Sequence, residues 1–135
     1  MSSRLGAIKS ISELALWVRD LDRSVAFYRD RLGFELVDLD PGHNSFLKSG
    51  DFLLVLFVRG NPGTPLGEEY LARTGGPRGE VYHVAFEVDP ERLDSFCAEL
   101  RQQGLELKGP VEFATGRRSY FLEDLDEHYI ELTDR

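Results

Sequence analysis

The sequence contains an internal repeat that spans most of the chain. The stretch ELALWVRDLDRSVAFYRDRLGFEL (13–36) aligns with HVAFEVDPERLDSFCAELRQQGLEL (83–107) when one inserted residue is allowed. In each copy an alternating apolar pattern predicts a half-buried strand, which an amphipathic helix follows. Three further short strands follow each helix. The predicted order is therefore βαβββ twice, and two such modules must pack together to bury their apolar faces.

Polar and glycine residues indicate where the two helices begin and end. Asp22 is the predicted N-cap of the first helix, and Pro90 is suited to the start of the second. Both helices are expected to stop at a glycine, Gly33 and Gly104, because glycine readily adopts the left-handed conformation at C′.

The chain is predicted to form one domain over residues 1–135, with two small modules sharing one core. Module one covers about 10–58 and module two about 81–134. Residues 59–80 between them are rich in glycine and proline, which predicts a linker with one short helical turn around GEEYLAR.

Composition excludes several classes of function. The formal net charge is −8, which disfavours nucleic acid and anionic membranes as partners. The single cysteine, Cys97, excludes an internal disulfide framework and is expected to be a buried core residue of the second helix. No apolar run reaches the length of a membrane span and MSSRLGAIKS lacks a signal-peptide core, so a cytoplasmic location is expected.

The repeat brings three polar residues to comparable positions. His83 and Glu13 both begin the first strand of their module, on the face opposite its aliphatic residues. Glu131 lies inside the last strand, where Ile130 and Leu132 are expected to face the helices. Taken singly, such a histidine is more often a turn or interface residue, and such glutamates are usually solvated. Taken together, they favour a shared metal or catalytic site.

The motifs ELALWVRDLDRSVAFYRDRLGF and YHVAFEVD…GRRSYFLEDLDEHYIEL resemble the vicinal oxygen chelate superfamily. That superfamily contains glyoxalase I, fosfomycin-inactivating thiol transferases, methylmalonyl-CoA epimerase, extradiol dioxygenases and bleomycin-binding proteins. The resemblance covers residues 10–134. It implies an α+β fold in which paired βαβββ modules form a cup-like mixed sheet, usually completed in a homodimer.

The resemblance also implies a metal site. The superfamily's ligand positions fall on Glu13, where histidine or glutamine is commoner, and on His83 and Glu131. A fourth position falls on Val55, within one residue, and valine binds no metal. The implied cofactor is one divalent ion, Mn, Fe, Ni, Zn or Mg, whose identity the ligands do not determine. Glu13 and Glu131 are the expected catalytic residues, and Glu13 has the alternative role of an unbound general base.

Two departures argue against a fosfomycin-inactivating role. Ala15 stands where the fosfomycin enzymes have a threonine, and the chain ends four residues after Glu131, without their downstream arginine. The superfamily's proline-glycine turn before the last strand is also replaced, by DLDEH.

Side chains on the same face as the ligand positions predict an apolar pocket with an aromatic wall, suited to a small oxygenated molecule. Arg117 and Arg118, beside SYF, are expected to hold a carboxylate or phosphate of the substrate, although an exposed pair in a hairpin is equally suited to a solvated position. The predicted substrate-binding residues are Trp17, Val55, Phe57, Arg118 and Tyr129.

Two functions remain open from the sequence. The first is a divalent-metal enzyme of lyase, isomerase or dioxygenase type that acts through metal-stabilised oxyanion chemistry. The second is a metal-free protein of the bleomycin-resistance kind that binds an aromatic or cationic compound between subunits. Both predict a small-molecule ligand and a homodimer, without nucleic acid or membrane partners.

Overall fold

The computed structural model describes residue 7, residues 10–74 and residues 82–135. Within these ranges each module forms four strands. Those of module one are β1 (Glu13–Val18), β2 (Glu35–Asp40), β3 (Asn44–Ser49) and β4 (Phe52–Val58). Those of module two are β5 (Val84–Glu87), β6 (Lys108–Glu112), β7 (Arg118–Glu123) and β8 (Tyr129–Thr133).

The strands of each module form a separate four-stranded mixed sheet. The orders are β1-β4-β3-β2 and β5-β8-β7-β6. The first strand of each module is parallel to the last, and the other pairs are antiparallel. The helices are α1 (Leu21–Ala26), which continues as a π-helical turn (Phe27–Arg31), α2 (Pro65–Thr74) and α3 (Leu93–Gln102). The predicted α+β fold of paired βαβββ modules is confirmed.

The residues predicted to end the helices are confirmed, but those predicted to begin them are not. Gly33 and Gly104 follow the helical segments with φ of 84° and 94°, as predicted. The N-cap of α1 is Asp20, because its extended backbone lets the carboxylate accept a hydrogen bond from the Arg23 N–H at 3.1 Å. The predicted cap, Asp22, lies inside the first turn. Pro90 lies in a turn before α3 rather than at its start.

The π-helical turn explains part of the imperfect alignment of the two repeats. From Leu21 to Gly33 the chain is one residue longer than from Leu93 to Gly104. A π-helical turn accommodates one extra residue within a helix without a break. The two helices therefore end at equivalent glycines although their lengths differ.

Both modules contribute to one apolar core. The faces of the two sheets that carry alternate apolar residues pack with α1 and α3 in a single cluster of buried side chains. Tyr28, Leu93 and Leu100 of the helices lie in this cluster with Leu54 of β4 and Ile130 of β8. We call these sheet faces the inner faces. Since the core includes residues of both modules, the fold of each depends on the other.

The predicted linker contains α2, a helix of ten residues where one short turn was expected. Residues 75–80 of the linker, and residue 81 of the predicted second module, lie outside the described residues. None of the helices in the described ranges has the length and apolarity required to cross a membrane.

Candidate functional site

The face of each sheet opposite the core, which we call the outer face, carries both exposed and buried residues. Ala15 of β1 and Ala85 of β5 are exposed there, whereas the neighbouring Leu16 is buried in the core. The strand registers of the two sheets correspond. Ala15 lies opposite Val55, and Ala85 lies opposite Glu131. Val55 and Glu131 therefore occupy equivalent positions on the outer faces, as the repeat predicts.

Glu131 is the centre of a polar cluster on the outer face of module two. His83 Nε2 lies 3.0 Å from one carboxylate oxygen, Oε1, and the Ser119 hydroxyl donates to the other, Oε2, at 2.6 Å. Glu131 is only 4% exposed and Ser119 is fully buried. A buried carboxylate with hydrogen-bond partners on both oxygens has a fixed orientation.

Arg117 is the third residue that contacts the Glu131 carboxylate. Its Nη2 lies 3.2 Å from Glu131 Oε2, and its Nε donates to the Thr133 hydroxyl at 2.8 Å. Thr133 is nearly buried, so this hydrogen bond fixes the direction of a half-exposed guanidinium. The cluster therefore combines a carboxylate, an imidazole and a guanidinium on the hairpin of β7 and β8 and at the start of the neighbouring strand β5.

The pair formed by His83 and Glu131 fits the binding of a divalent ion. In octahedral coordination, ligand bonds of about 2.1 Å at a right angle bring two donors about 3 Å apart. The observed separation of 3.0 Å, a hydrogen bond in the single chain, matches that distance. An imidazole and a carboxylate are acceptable to each of the predicted metals. The other imidazole nitrogen, Nδ1, is buried without a hydrogen-bond partner among the described residues.

Glu13 does not join this pair within one chain. It is exposed at the start of β1, on the outer face of the other module. Across residues 10–74 and 82–135, no three histidine, cysteine, aspartate or glutamate side chains are grouped closely enough to hold a metal ion. One chain therefore brings together two of the three predicted ligands.

The predicted aromatic residues lie in two separate groups. Trp17 and Phe57 are 6.3 Å apart between ring centroids and line an apolar hollow of about 300 Å³ with Pro62 of the linker. Tyr129 stacks on Phe121, with ring centroids 5.5 Å apart and planes 13° apart. The first group belongs to the outer face of module one, and the second lies beside the Glu131 cluster.

Two predicted substrate-binding residues are placed unfavourably for that role. Val55 has no exposed surface in the single chain. Arg118 forms two contacts with Asp94 of α3, at 3.0 and 3.1 Å, because its position in β7 has the same parity as the core residues Tyr120 and Leu122. Arg118 is therefore engaged on the inner side, and the arginine on the outer face is Arg117.

The hairpin between β7 and β8, which replaces the superfamily's usual turn, is attached to module one. The Tyr28 hydroxyl donates to Asp124 Oδ2 at 2.6 Å, and the other oxygen of Asp124 accepts from the backbone N–H groups of Asp126 and His128. Burial, followed by the charge of Asp124, raises the pKa of Tyr28 well above its usual value. His128 Nε2 contacts the Trp17 carbonyl at 2.8 Å. These contacts fix the start of β8, the strand that contains Glu131.

Ser119 was not among the predicted site residues, and Arg117 was named only as one of two candidate anion-binding arginines, yet the sequence contained a signal for both. Tyr120 and Leu122 are the apolar residues of RRSYFLED, so alternation assigns residues 117, 119 and 121 to the outer face. Strand β7 pairs with β8 so that Phe121 lies opposite Glu131. Parity alone therefore favours Arg117 over Arg118.

Comparison with known proteins identifies the family. The family model of the Glyoxalase/Bleomycin resistance protein/Dioxygenase superfamily matches residues 10–132. The chain belongs to this superfamily. The resemblance noted in the repeat motifs is therefore confirmed over nearly the whole chain.

Relatives within the superfamily include enzymes. The metallothiol transferase FosB of Staphylococcus epidermidis is 29% identical over 93% of this chain and 81% of its own length. The structure of lactoylglutathione lyase from Agrobacterium tumefaciens has a TM-score of 0.71 and 26% identity, over 95% of each chain.

A third relative has been solved with a metal ion. It is a variant of the fosfomycin resistance protein FosX from Listeria monocytogenes, complexed with Mn(II) and 1S,2S-dihydroxypropylphosphonic acid. Its TM-score is 0.70 at 22% identity, over 95% of this chain and 91% of its own, which shows a common fold. The expectation that this chain does not inactivate fosfomycin stays a prediction.

Proposed function

We propose that this protein is a divalent-metal-dependent enzyme that acts on a small oxygenated substrate by lyase, isomerase or dioxygenase chemistry. The observation that supports it most is the contact of 3.0 Å between His83 Nε2 and Glu131 Oε1 on the outer face. The two atoms share a hydrogen bond, and the same separation suits two ligands of a common ion in a chain that shares its fold with a relative solved with Mn(II).

We infer that Glu13 of a second copy supplies the third ligand in a homodimer. Within the described ranges β1 pairs only with β4, and β5 pairs only with β8, so each has an unpaired edge. Such edges are available for pairing with another chain. A dimer that joins β1 of one copy to β5 of another would bring Glu13 towards His83 and Glu131 of its partner.

The residues of this site have distinct roles in the proposed reaction. His83, Glu131 and the Glu13 of the second copy would hold the ion, which when bound stabilises negative charge that develops on substrate oxygens. Ser119 holds the Glu131 carboxylate in position through its hydrogen bond of 2.6 Å. If Glu13 stays free of the metal, its exposed carboxylate is the group available to accept a proton from the substrate.

Metal content is the direct test of the proposal. Purified wild-type protein is expected to contain about one divalent ion per chain by mass spectrometry, and His83→Ala is expected to have lost it. His43→Ala is a suitable control, because His43 contacts Asp40 near the end of β2 and lies in neither outer-face group. A wild-type protein that contains no metal and binds none when it is added would contradict the proposal.

A mixture of two variants tests whether the site is shared between chains. Glu13→Ala and His83→Ala should each bind no metal alone. In a mixed dimer, the wild-type Glu13 of one chain and the wild-type His83 of the other restore one intact site of two. Recovery of about half an ion per chain in the mixed dimer is expected. If each site belonged to one chain, mixing would restore nothing.

A metal-free binding protein is the second candidate. It is favoured by the contacts that Glu131 already makes to His83, Ser119 and Arg117, and by the buried Val55 where a fourth ligand is expected. The stacked Tyr129 and Phe121 would then form the wall of a ligand pocket. Tight binding of an aromatic cation by chelator-treated protein, with no change on adding metal, would favour this function over the enzyme.

A further inference from the structure

Arg117 is a cation placed beside the carboxylate of a proposed metal ligand. Its Nη2 lies 3.2 Å from Glu131 Oε2, and its side chain is 36% exposed. His83 and Ser119 already contact the two oxygens of Glu131, so Arg117 adds charge compensation for the buried carboxylate rather than a missing hydrogen bond. A positive charge at this position also opposes the binding of a metal ion. The arrangement therefore requires another explanation.

The guanidinium of Arg117 is oriented but incompletely engaged. Its Nε is fixed by the hydrogen bond of 2.8 Å to the Thr133 hydroxyl. Its Nη1 donates no hydrogen bond to any residue within 10–74 or 82–135. Arg118 provides the contrast, because both of its terminal nitrogens contact the Asp94 carboxylate. Arginine has five N–H donors in a planar fork that matches an oxyanion, and Arg117 retains donors for one.

The net charge of the proposed site indicates which class of ligand the free N–H donors of Arg117 suit. Two glutamates and one divalent ion sum to zero, so Arg117 leaves the complete site with a charge of about +1. A carboxylate would neutralise this charge, and a phosphonate or phosphate group, with a charge of about −1.5 to −2, would more than neutralise it. We propose that Arg117 is the anion-recognition residue of this site and that its substrate is a small organic oxyanion. This inference rests on the proposed function and specifies its substrate class.

Binding of two simple anions tests the inference. Methylphosphonate and acetate are titrated into wild-type protein, Arg117→Gln, Arg117→Lys and Arg118→Gln, with binding followed by NMR. Arg117→Gln is expected to weaken the binding of at least one anion about tenfold or more, since it removes a charge-assisted hydrogen bond. Arg117→Lys should lose less, because it keeps the charge without the fork. Arg118→Gln should bind as the wild type does.

Metal affinity separates recognition of an anion from a structural role. If Arg117 only supported Glu131, Arg117→Gln would lose metal and anion together, which would overturn the inference. If Arg117 recognises the substrate, Arg117→Gln should bind the metal as tightly as the wild type or more tightly, because a repelling charge has gone. Equal binding of both anions by Arg117→Gln and the wild type would also overturn it.

The two proposals can fail independently. A wild-type protein that binds no metal but binds methylphosphonate through Arg117 would refute the enzyme proposal and support anion recognition. The opposite result is a protein that binds metal through His83 and shows the same affinity for both anions with and without Arg117→Gln. That result would support the enzyme proposal and refute anion recognition by Arg117. Propane-1,2-diol serves as the neutral probe, and its binding should not depend on Arg117.

Discussion

The outer faces of the two modules share one backbone arrangement but differ in chemistry. At equivalent positions in the register, module one has Val55 opposite Ala15, and module two has Glu131 opposite Ala85. At the start of its first strand, module one has Glu13, which is exposed and lies apart from the Glu131 cluster. Module two has His83 at the same point, in contact with Glu131. The difference shows that strand pairing places the positions and a few side chains decide whether a site exists.

The difference also explains why one chain brings together only part of the proposed set of ligands. Module two combines an imidazole, a carboxylate, a hydroxyl and a guanidinium around one point. Module one has an apolar hollow between Trp17 and Phe57, and its acidic residue lies apart. A site that uses both faces would have a polar half and an apolar half, which suits a small molecule with one anionic end.

The largest change in stability is expected when a glutamate is introduced into module one at the position equivalent to Glu131. Val55→Glu introduces a carboxylate at a fully buried position, which should lower the free energy of unfolding by about 3–5 kcal/mol without metal. Denaturant titration measures this loss. Val55→Thr, of similar shape and without a charge, should lose less. Because metal binds only the folded protein, added metal should restore part of the stability of Val55→Glu. An unchanged stability of Val55→Glu would show that the two positions are not equivalent.

The converse change removes the acid from module two. Glu131→Gln keeps an acceptor for Ser119 but removes the charged ligand, and metal affinity should fall at least about a hundredfold, or about 2.7 kcal/mol. Calorimetric titration with Mn²⁺ measures this change. Glu123→Gln, an exposed acid at the end of β7, is the matched control. Metal binding by Glu131→Gln equal to that of the wild type would remove Glu131 from the site.

The repeat predicted the fold because strand alternation and helix periodicity are local properties of the sequence. The pattern of β1 and β5 assigned Glu13 and His83 to outer faces, and the repeat aligned Val55 with Glu131 before any register was known. The helix N-termini were harder to predict. DLD provides two aspartates, and only the backbone conformation of Asp20 decides which one caps the helix.

The candidate site was predicted less completely than the fold. A sequence pattern gives the face on which a side chain lies but not its distance from residues of another module. The sequence therefore groups Glu13 with His83 and Glu131 without deciding whether one chain or two build the site. No such group of three exists within the described part of one chain. The sequence offers both Arg117 and Arg118 as anion-binding candidates, and their opposite directions follow only from parity with Tyr120 and Leu122.

The contact between the modules provides a smaller test of how far module two depends on module one. Tyr28→Phe removes the buried hydrogen bond to Asp124, which should lower the free energy of unfolding by about 1–3 kcal/mol at neutral pH. The raised pKa of Tyr28 means that only the unfolded tyrosine ionises above about pH 10. The contribution of Tyr28 is complete below that pH and is lost as the pH rises further. The difference in stability between the wild type and Tyr28→Phe should therefore narrow above pH 10, and a constant difference would contradict the assignment.

The smallest change in stability is expected at a core position where α1 and α3 carry side chains of similar size. Cys97 lies four residues after the buried Leu93, as Val25 lies four residues after the buried Leu21, so Cys97→Val gives α3 the residue of α1. A change of similar shape in the core should alter the free energy of unfolding by less than about 1.5 kcal/mol.

Burial raises the pKa of the Cys97 thiol to about 12, so an aromatic disulfide reagent at pH 8 should modify the protein only after denaturation. Rapid modification of the native protein would mean that α3 leaves the core on the timescale of the reaction, which would contradict stable burial of Cys97.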